Sequence, residues 1–216
     1  DEPYNLFNYS VLGFQSYLNP PEEIALMDKL HFDACRLGAL THDLSLAEPI
    51  LRNASLVSMD VSCIKSGDLS GHYHKSPNGF DSREICAMAR YAGISNRVKS
   101  FGLYELKTFD SDERASNLIA QILWYFIEGV SFRVDDEDFY NDRDFITYSV
   151  PIDDLVLVFK KSNKTGRWWV ELPFNSKTDN NLHNHALLPC TYDEYIGATN
   201  QEIPERWLKA RLKNEV

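Results

Sequence analysis

Three features that would assign this sequence to other classes of protein are missing from it. It has no Cys-x-x-Cys pair, no dense run of Lys or Arg, and no uninterrupted apolar stretch long enough to cross a bilayer. The longest apolar stretch, residues 118–130, is broken by Gln121 and Glu128 and is too short for a membrane span. The four cysteines are far apart, which is typical of reduced thiols and excludes a disulfide scaffold.

The charge of the chain excludes two further kinds of partner. The 216 residues include 32 acidic and 22 basic side chains, giving a formal net charge of −10. Nucleic acids and anionic membranes are polyanions, so neither is expected as the main partner. No signal peptide is visible, and we therefore expect a cytoplasmic protein. Because the sequence begins at Asp1 rather than Met, we expect a trimmed chain or part of a longer product.

Strand and helix patterns alternate over the first 130 residues. The predicted strands mix β-branched, aromatic and small residues and cover residues 9–17, 54–60 and 98–106. The predicted helices follow three- and four-residue apolar spacing and cover residues 21–38, 44–52, 82–93 and 111–129. Strands joined by helices imply a mainly parallel sheet with helices on both faces. We therefore predict an α/β fold with three layers, α/β/α, of which residues 1–132 form a part.

The character of the sequence changes after residue 132. An acidic run over residues 133–144 predicts a solvated linker. Short predicted elements follow it, namely strands over 145–150, 155–161 and 167–172 and helices over 191–198 and 204–213. Residues 133–216 are therefore predicted to form a small β-hairpin and helix extension packed on the first domain. Its tryptophans, Trp168, Trp169 and Trp207, fit either packing anchors that join the extension to the first domain or a ligand platform.

A candidate site lies at residues 56–62, an apolar segment that contains Ser58-x-Asp60. The pattern predicts a buried strand with a carboxylate at its C-terminal tip, and a loop rich in Gly, Pro and Asn follows over residues 71–80. In open parallel sheets, ligands and metals lie at this edge. Asp60 is therefore a candidate metal ligand. Its alternative role is to cap the following loop through backbone N–H groups.

This segment resembles the last metal-binding segment of the ureohydrolase superfamily, which includes arginases, agmatinases and formimidoylglutamases. The family pattern is Ser-x-Asp-x-Asp-x-x-Asp-Pro, and Ser58 and Asp60 agree with it. Ser62 stands where the family has its second ligand aspartate, and Lys65 stands where the family pattern has its third aspartate. Residues 76–80, Ser-Pro-Asn-Gly-Phe, cover the family's Glu-Pro-Gly-Gly-like turn with serine in place of glutamate.

A second similarity lies downstream. Residues 102–107, Gly-Leu-Tyr-Glu-Leu-Lys, resemble the family strand that carries Glu-Val-Asn-Pro, and Glu105 falls on the glutamate that binds the substrate guanidinium in arginases. The alternative for Glu105 is an ion pair with a nearby Lys or Arg. The resemblance covers about residues 8–130, the C-terminal half of such a domain, and is closest to a bacterial formimidoylglutamase-like branch.

The resemblance implies hydrolysis of a linear amidine C–N bond by two Mn²⁺ ions that share a bridging hydroxide. The family's other ligands lie in a Gly-His segment and an Asp-x-His-x-Asp strand, and neither occurs in this sequence. Mn²⁺ is therefore expected only if an upstream half of the domain is present. The implied partners are a small cationic amidine or guanidine substrate and further copies of the chain in a homo-oligomer.

Five residues are predicted to form the site. Asp60 is the predicted metal ligand, and the predicted substrate-binding residues are Glu105, His72, His74 and Asn78. His72 and His74 form a His-x-His pair in the loop over the predicted site, and residues 183–185 contain a second such pair. Each pair fits either a metal chelate or solvated loop histidines.

Two functional hypotheses remain open from the sequence. The first is an arginase-family, formimidoylglutamase-like hydrolase, dependent on manganese if active, whose metal site is degraded in this chain. The alternative is a non-catalytic ureohydrolase-fold protein kept for binding or assembly. Ser62, Lys65 and Ser76 motivate the alternative, because three family ligand or turn positions are changed at one site and Lys65 would repel a metal cation.

Overall fold

The computed structural model describes residues 8–69, 76–106, 113–136, 143–172 and 187–215. These residues form two compact units. The α/β unit comprises residues 12–15 and 35–134, and the β-sheet unit comprises the described residues of 1–11, 16–34 and 135–216. The predicted division of the chain into residues 1–132 and 133–216 stays a prediction.

Strands and helices alternate in the first part of the chain. They are β1 (Ser10–Phe14), α1 (Pro21–Lys29), β2 (Asp33–Arg36), α2 (Leu37–His42), α3 (Ala47–Asn53), β3 (Leu56–Asp60), α4 (Ser82–Gly93), β4 (Ser100–Tyr104) and α5 (Glu113–Ser131). Strands β1 and β2 form one two-stranded sheet, and β3 and β4 form another. Most of these elements fall where the sequence predicts them.

The single helix predicted over residues 21–38 is wrong. α1 ends at Lys29, and His31 has a φ of 54°. The N–H of Phe32 donates to the carbonyl of Met27 at 2.9 Å, which closes the helix with a left-handed residue as in a Schellman motif. Glycine or asparagine usually signals this ending. Histidine occupies this position instead. Because the apolar spacing continues past it, nothing in the sequence signals that the helix ends at Lys29.

The parallel pairing of β3 and β4 positions the candidate site. The register places Leu56 opposite Ser100 and Asp60 opposite Tyr104. Along β3, Val57 and Met59 are buried while the alternate side chains are exposed, so one face of the pair lies on the hydrophobic core. Because the strands are parallel, their C-terminal ends lie at the same edge of the sheet.

Helix α4 begins with a capping box formed by Asp81 and Glu84. The Asp81 carboxylate accepts the N–H of Glu84 at 2.8 Å, and the Glu84 carboxylate accepts the N–H of Asp81 at 2.8 Å. The two side chains thereby satisfy backbone donors that the first helical turn leaves open. The buried face of α4 packs into the core of the α/β unit through Ile85, Met88 and Ala89.

Helices α4 and α5 approach closely because glycines meet where they cross. A Cβ atom added at Gly129 would lie 2.7 Å from the carbonyl oxygen of Arg90 and 2.9 Å from Cα of Gly93. No side chain fits in that space. The pair is also linked at its surface, where Nε of Arg90 donates to the Glu128 carboxylate at 3.0 Å.

The β-sheet unit contains an antiparallel sheet with the strand order β5-β6-β7-β8. Its elements are β5 (Phe145–Ile152), β6 (Leu155–Ser162), β7 (Trp168–Glu171), β8 (Leu187–Cys190), α6 (Tyr192–Thr199) and α7 (Glu205–Glu215). The turns between the first three strands use Asp153, with a φ of 48°, and Gly166, with a φ of 73°. The sequence missed β8, which is four residues long and contains Pro189; proline is tolerated there because β8 ends the strand order.

The tryptophans of the β-sheet unit lie in its core. Trp168 stacks on Tyr195 with ring centroids 4.7 Å apart and on Tyr148 at 5.2 Å. Trp207 is 3% exposed, and its Nε1–H donates to the carbonyl of Glu171 at 2.7 Å. These contacts show packing within the unit, and the predicted role of the tryptophans in joining it to the first domain stays a prediction.

The fold class predicted from the sequence is confirmed in its coarser form. The protein is mixed α/β, with a parallel β3–β4 pair and helices between the strands. The three-layer arrangement stays a prediction. Among the helices that the structure describes, none is both long enough and apolar enough to cross a membrane.

Candidate functional site

Two of the predicted site residues come together at the carboxyl edge of the β3–β4 pair. Asp60 is the last residue of β3 and is paired with Tyr104, and Glu105 directly follows Tyr104. Both side chains are exposed. The sequence predicted this neighbourhood, because C-terminal ends of neighbouring parallel strands share one edge. The roles of Asp60 in metal binding and of Glu105 in substrate binding stay predictions.

One oxygen of Asp60 is already engaged by the backbone. Oδ1 accepts the N–H of Ser62 at 2.8 Å and so caps the short 3₁₀ turn Val61–Cys63. This is the capping geometry that the sequence left open as the alternative role. A carboxylate has several acceptor sites, so the cap and a further ligand are compatible on one side chain.

The charge of Asp60 acts on a neighbouring thiol. The pKa of Cys63 is raised to about 12, first by burial and then by the negative charge of Asp60. A thiol with so high a pKa is neutral at physiological pH and is a poor nucleophile or metal ligand.

Glu105 has an unusual backbone conformation. Its φ is 60°, a left-handed value that few residues other than glycine adopt. Strained residues of this kind are held by surrounding structure and cluster at functional sites. The conformation ends β4 and turns the chain at the position where the resemblance expects the substrate-binding glutamate.

The loop that carries Asn78 is joined to the end of β3. The N–H of Phe80 donates to the carbonyl of Cys63 at 2.9 Å, and the N–H of Lys65 donates to the carbonyl of Phe80 at 3.0 Å. A Cβ at Gly79 would lie 2.5 Å from the carbonyl oxygen of Cys63 and 2.7 Å from the backbone nitrogen of Lys65. Only glycine fits this approach, so Gly79 sets how closely the two segments run.

Asn78 itself is paired with the start of the α/β unit. Its side-chain Nδ2 donates to Oε1 of Gln15 at 2.9 Å, and its carbonyl accepts from the hydroxyl of Ser76 at 2.6 Å. The side chain is exposed. Its predicted part in substrate binding stays a prediction. His72 and His74, the other two predicted substrate contacts, lie outside the described residues, as do His183 and His185.

A carboxylate that the sequence did not single out lies close to Lys65. Oδ1 of Asp68 is 4.0 Å from Nζ of Lys65, and Oδ2 accepts from the N–H of Ser82 at 2.6 Å and from its hydroxyl at 2.8 Å. Burial acts to raise the pKa of Asp68, but the Ser82 hydrogen bonds, Lys65 and Arg114 outweigh it and leave the pKa below its usual value. Asp68 is therefore ionised at neutral pH.

The described residues do not by themselves fit a two-manganese centre. No group of three or more His, Cys, Asp or Glu side chains among them is placed to hold a metal ion. Divalent Mn²⁺ prefers several carboxylate or imidazole ligands, whereas next to Asp60 this strand end offers the neutral Ser62 and the cationic Lys65.

Comparisons with solved structures place the fold. The match to Trypanosoma cruzi formiminoglutamase covers 57% of this chain and 45% of that enzyme's chain, at 19% sequence identity and a TM-score of 0.50. A Mn²⁺ form of the same enzyme matches with a TM-score of 0.50 at 19% identity, over 57% of this chain and 44% of its own. Formimidoylglutamase from Bacillus subtilis matches at 17% identity and a TM-score of 0.50, over 56% of this chain and 41% of its own.

These similarities show that part of this chain shares its fold with proteins named formiminoglutamase or formimidoylglutamase. At the level of the fold, they confirm the resemblance to formimidoylglutamases. The chain spans less than half the length of each of these relatives. No family model and no curated protein matches the sequence.

Proposed function

We propose that this chain forms part of a ureohydrolase-type enzyme that hydrolyses a linear amidine-type C–N bond. The proposal is supported by the fold that the chain shares with proteins named formiminoglutamase and formimidoylglutamase. One observation carries the proposal. In a chain with this fold, the β3–β4 register brings Asp60 and Glu105 to the same sheet edge, where ligands of parallel α/β sheets bind.

In this proposal, Glu105 contacts the cationic end of the substrate. An amidinium or guanidinium group presents paired N–H donors, which match the two oxygens of a carboxylate. Asn78 supplies an amide from the neighbouring loop, and His72 and His74 are proposed as further substrate contacts. The substrate is a small cation, and neither nucleic acid nor a membrane takes part.

Asp60 is the one metal ligand proposed from this chain. The Mn²⁺ in the Trypanosoma cruzi enzyme supports manganese as the ion, and a bound metal would supply an activated hydroxide. The described residues do not complete such a site, so the remaining ligands would lie outside them. A homo-oligomer is proposed as well.

The test is metal content and turnover of the complete gene product. We expect about two Mn²⁺ per chain, as in two-metal hydrolases, together with hydrolysis of N-formimino-L-glutamate or agmatine. Glu105→Gln is expected to abolish turnover and retain the metal, whereas Asp60→Asn lowers manganese content. Asp153→Asn, at a turn of the β-sheet unit, is the matched control.

A metal-free complete protein without amidine hydrolysis would contradict the proposal and leave the non-catalytic alternative in its place. If that outcome is found, the double variant Ser62→Asp, Lys65→Asp tests whether these two positions account for the missing metal. It restores the carboxylates of the family pattern, so recovery of manganese binding would show that the loss is confined to these two positions.

A further inference from the structure

A small polar pocket lies in the α/β unit beside the first turns of α4 and α5. Its volume is about 300 Å³, at the small end of the range for ligand sites. Five polar residues and one leucine line it, namely Asp68, Ser82, Arg114, Asn117, Gln121 and Leu118. Neither Asp60 nor Glu105 belongs to this lining, so the inference drawn from the pocket does not rest on the function proposed above.

One wall of the pocket is a single face of α5. Arg114, Asn117 and Gln121 are three and four residues apart, a spacing that places their side chains on the same side of a helix. All three are exposed. The wall therefore presents a guanidinium and two carboxamides, and each carboxamide both donates and accepts hydrogen bonds.

The opposite charge comes from Asp68, which is fixed in place. Its Oδ2 accepts both the N–H and the hydroxyl of Ser82, at 2.6 and 2.8 Å. Oδ1 is 4.0 Å from Nζ of Lys65, beyond hydrogen-bond distance. One oxygen thus anchors the carboxylate while the other retains acceptor capacity.

A ligand with a single charge would meet one attractive and one repulsive group in this pocket. A zwitterion meets an opposite charge on each side. We propose that the pocket binds a free α-amino acid, with its ammonium on Asp68 and its carboxylate on Arg114, Asn117 and Gln121. The pocket is small and open, so few atoms of the ligand are enclosed and the dissociation constant is expected near about 1 mM.

The test is an NMR titration of the ¹⁵N-labelled chain with L-alanine and L-glutamine. We expect saturable shifts of the amides at Asp68, Ser82 and the first two turns of α5. L-Glutaminamide lacks the carboxylate, and N-acetyl-L-glutamine lacks the ammonium. Each is expected to bind at least about ten-fold more weakly, since each lacks one of the two charges that the pocket is proposed to contact.

Variants separate the site from general effects on folding. Gln121→Ala removes one hydrogen-bonding group from an exposed position and is expected to weaken binding about two- to ten-fold; Arg114→Gln is expected to weaken it further. Ser116→Ala, exposed on a different side of α5, is the control and leaves binding unchanged.

Three outcomes would overturn the proposal: no saturable shift with either amino acid, equal binding of the blocked analogues, or unchanged affinity in both Gln121→Ala and Arg114→Gln. Asp60→Asn and Glu105→Gln are expected to bind amino acids normally. Failure here is therefore distinguishable from failure of the proposed hydrolase function.

Discussion

The two units of the protein build their interiors from different side chains. Aliphatic and small residues dominate the core of the α/β unit, where Gly93 and Gly129 let α4 and α5 approach. In the β-sheet unit, stacked rings such as Trp168 and Tyr195 occupy the centre. The α/β unit, by contrast, leaves Trp124 of α5 56% exposed.

This difference shows that a tryptophan side chain contributes differently to stability in the two units. A large ring stabilises the β-sheet unit through the area that it buries. The α4–α5 pair depends instead on positions that carry no side chain, because a Cβ there would meet backbone atoms. Matched substitutions in the two units therefore test the comparison directly.

The largest effect is expected at the tryptophans. Trp168 is 7% exposed, and Trp168→Ala is expected to lower the free energy of unfolding by about 3–5 kcal/mol, because it removes a buried ring and leaves a cavity. Trp124→Ala is expected to change it by less than about 1 kcal/mol. Urea unfolding followed by circular dichroism measures both. Equal losses would break the comparison.

A smaller loss is expected at the helix crossing. Gly129→Ala places a Cβ 2.7 Å from the carbonyl oxygen of Arg90 and is expected to cost about 1–3 kcal/mol through overpacking. Gly38→Ala in α2 meets no atom within 4 Å and is expected to stabilise by up to about 1 kcal/mol from helix propensity. Thermal unfolding of the two variants checks the difference in sign, and a stabilising Gly129→Ala would contradict the close approach.

The lowered pKa of Asp68 predicts that the stability of the α/β unit depends on pH. Because the pKa of Asp68 is lowered on folding, its contribution to stability is present above the unfolded value of 3.8 and is lost as the pH falls through the folded value. Asp68→Ala is expected to cost about 1–2 kcal/mol at neutral pH.

That difference from the parent chain should begin to shrink below about pH 3.8, the ordinary aspartate pKa. It should be smallest once the pH lies below the lowered folded pKa, where both chains lack the charge. Asp68→Asn, which keeps an acceptor for Ser82, is the control and should lose less. A gap between Asp68→Ala and the parent chain that stays constant from neutral to acid pH would rule out the charge as its cause.

The smallest effect concerns the thiol beside Asp60. At pH 8 the native Cys63 is expected to react with iodoacetamide at least about 100-fold more slowly than in the unfolded chain, because few of its thiols are ionised. Asp60→Asn removes the nearby charge and is expected to raise the native rate a few-fold. Mass spectrometry of the labelled peptide gives the rates. An unchanged rate in Asp60→Asn would show that the two side chains do not interact, and Asp153→Asn should leave the rate unchanged.

Much of the fold was predictable where short-range signals decide it. The capping box of Asp81 and Glu84 and the apolar strands before Asp60 and Glu105 are local patterns, and the structure contains them. The helix end at His31 was not predictable in the same way, because the residue that takes the left-handed conformation is neither glycine nor asparagine. β8 was missed because a four-residue strand with a proline carries almost no periodic signal.

The candidate site also has features that were predictable from the sequence and features that were not. The meeting of Asp60 and Glu105 follows from parallel connectivity, which alternating strands and helices imply. Asp68 could not be identified from the sequence. Its role comes from hydrogen bonds to Ser82, 14 residues away, and from sharing a pocket with α5.

The sequence by itself determined most of the strand and helix segments, though not the end of α1 or strand β8, and it determined which carboxylates stand at strand tips. These features depend on neighbours a few residues apart. Only the tertiary structure decided how closely segments approach. Gly79 fits against Cys63 and Lys65, Gly129 fits against Arg90, and Asn78 pairs with Gln15 across 63 positions of the chain. Such contacts arise when packing brings distant backbone together, and no local pattern of side chains encodes them.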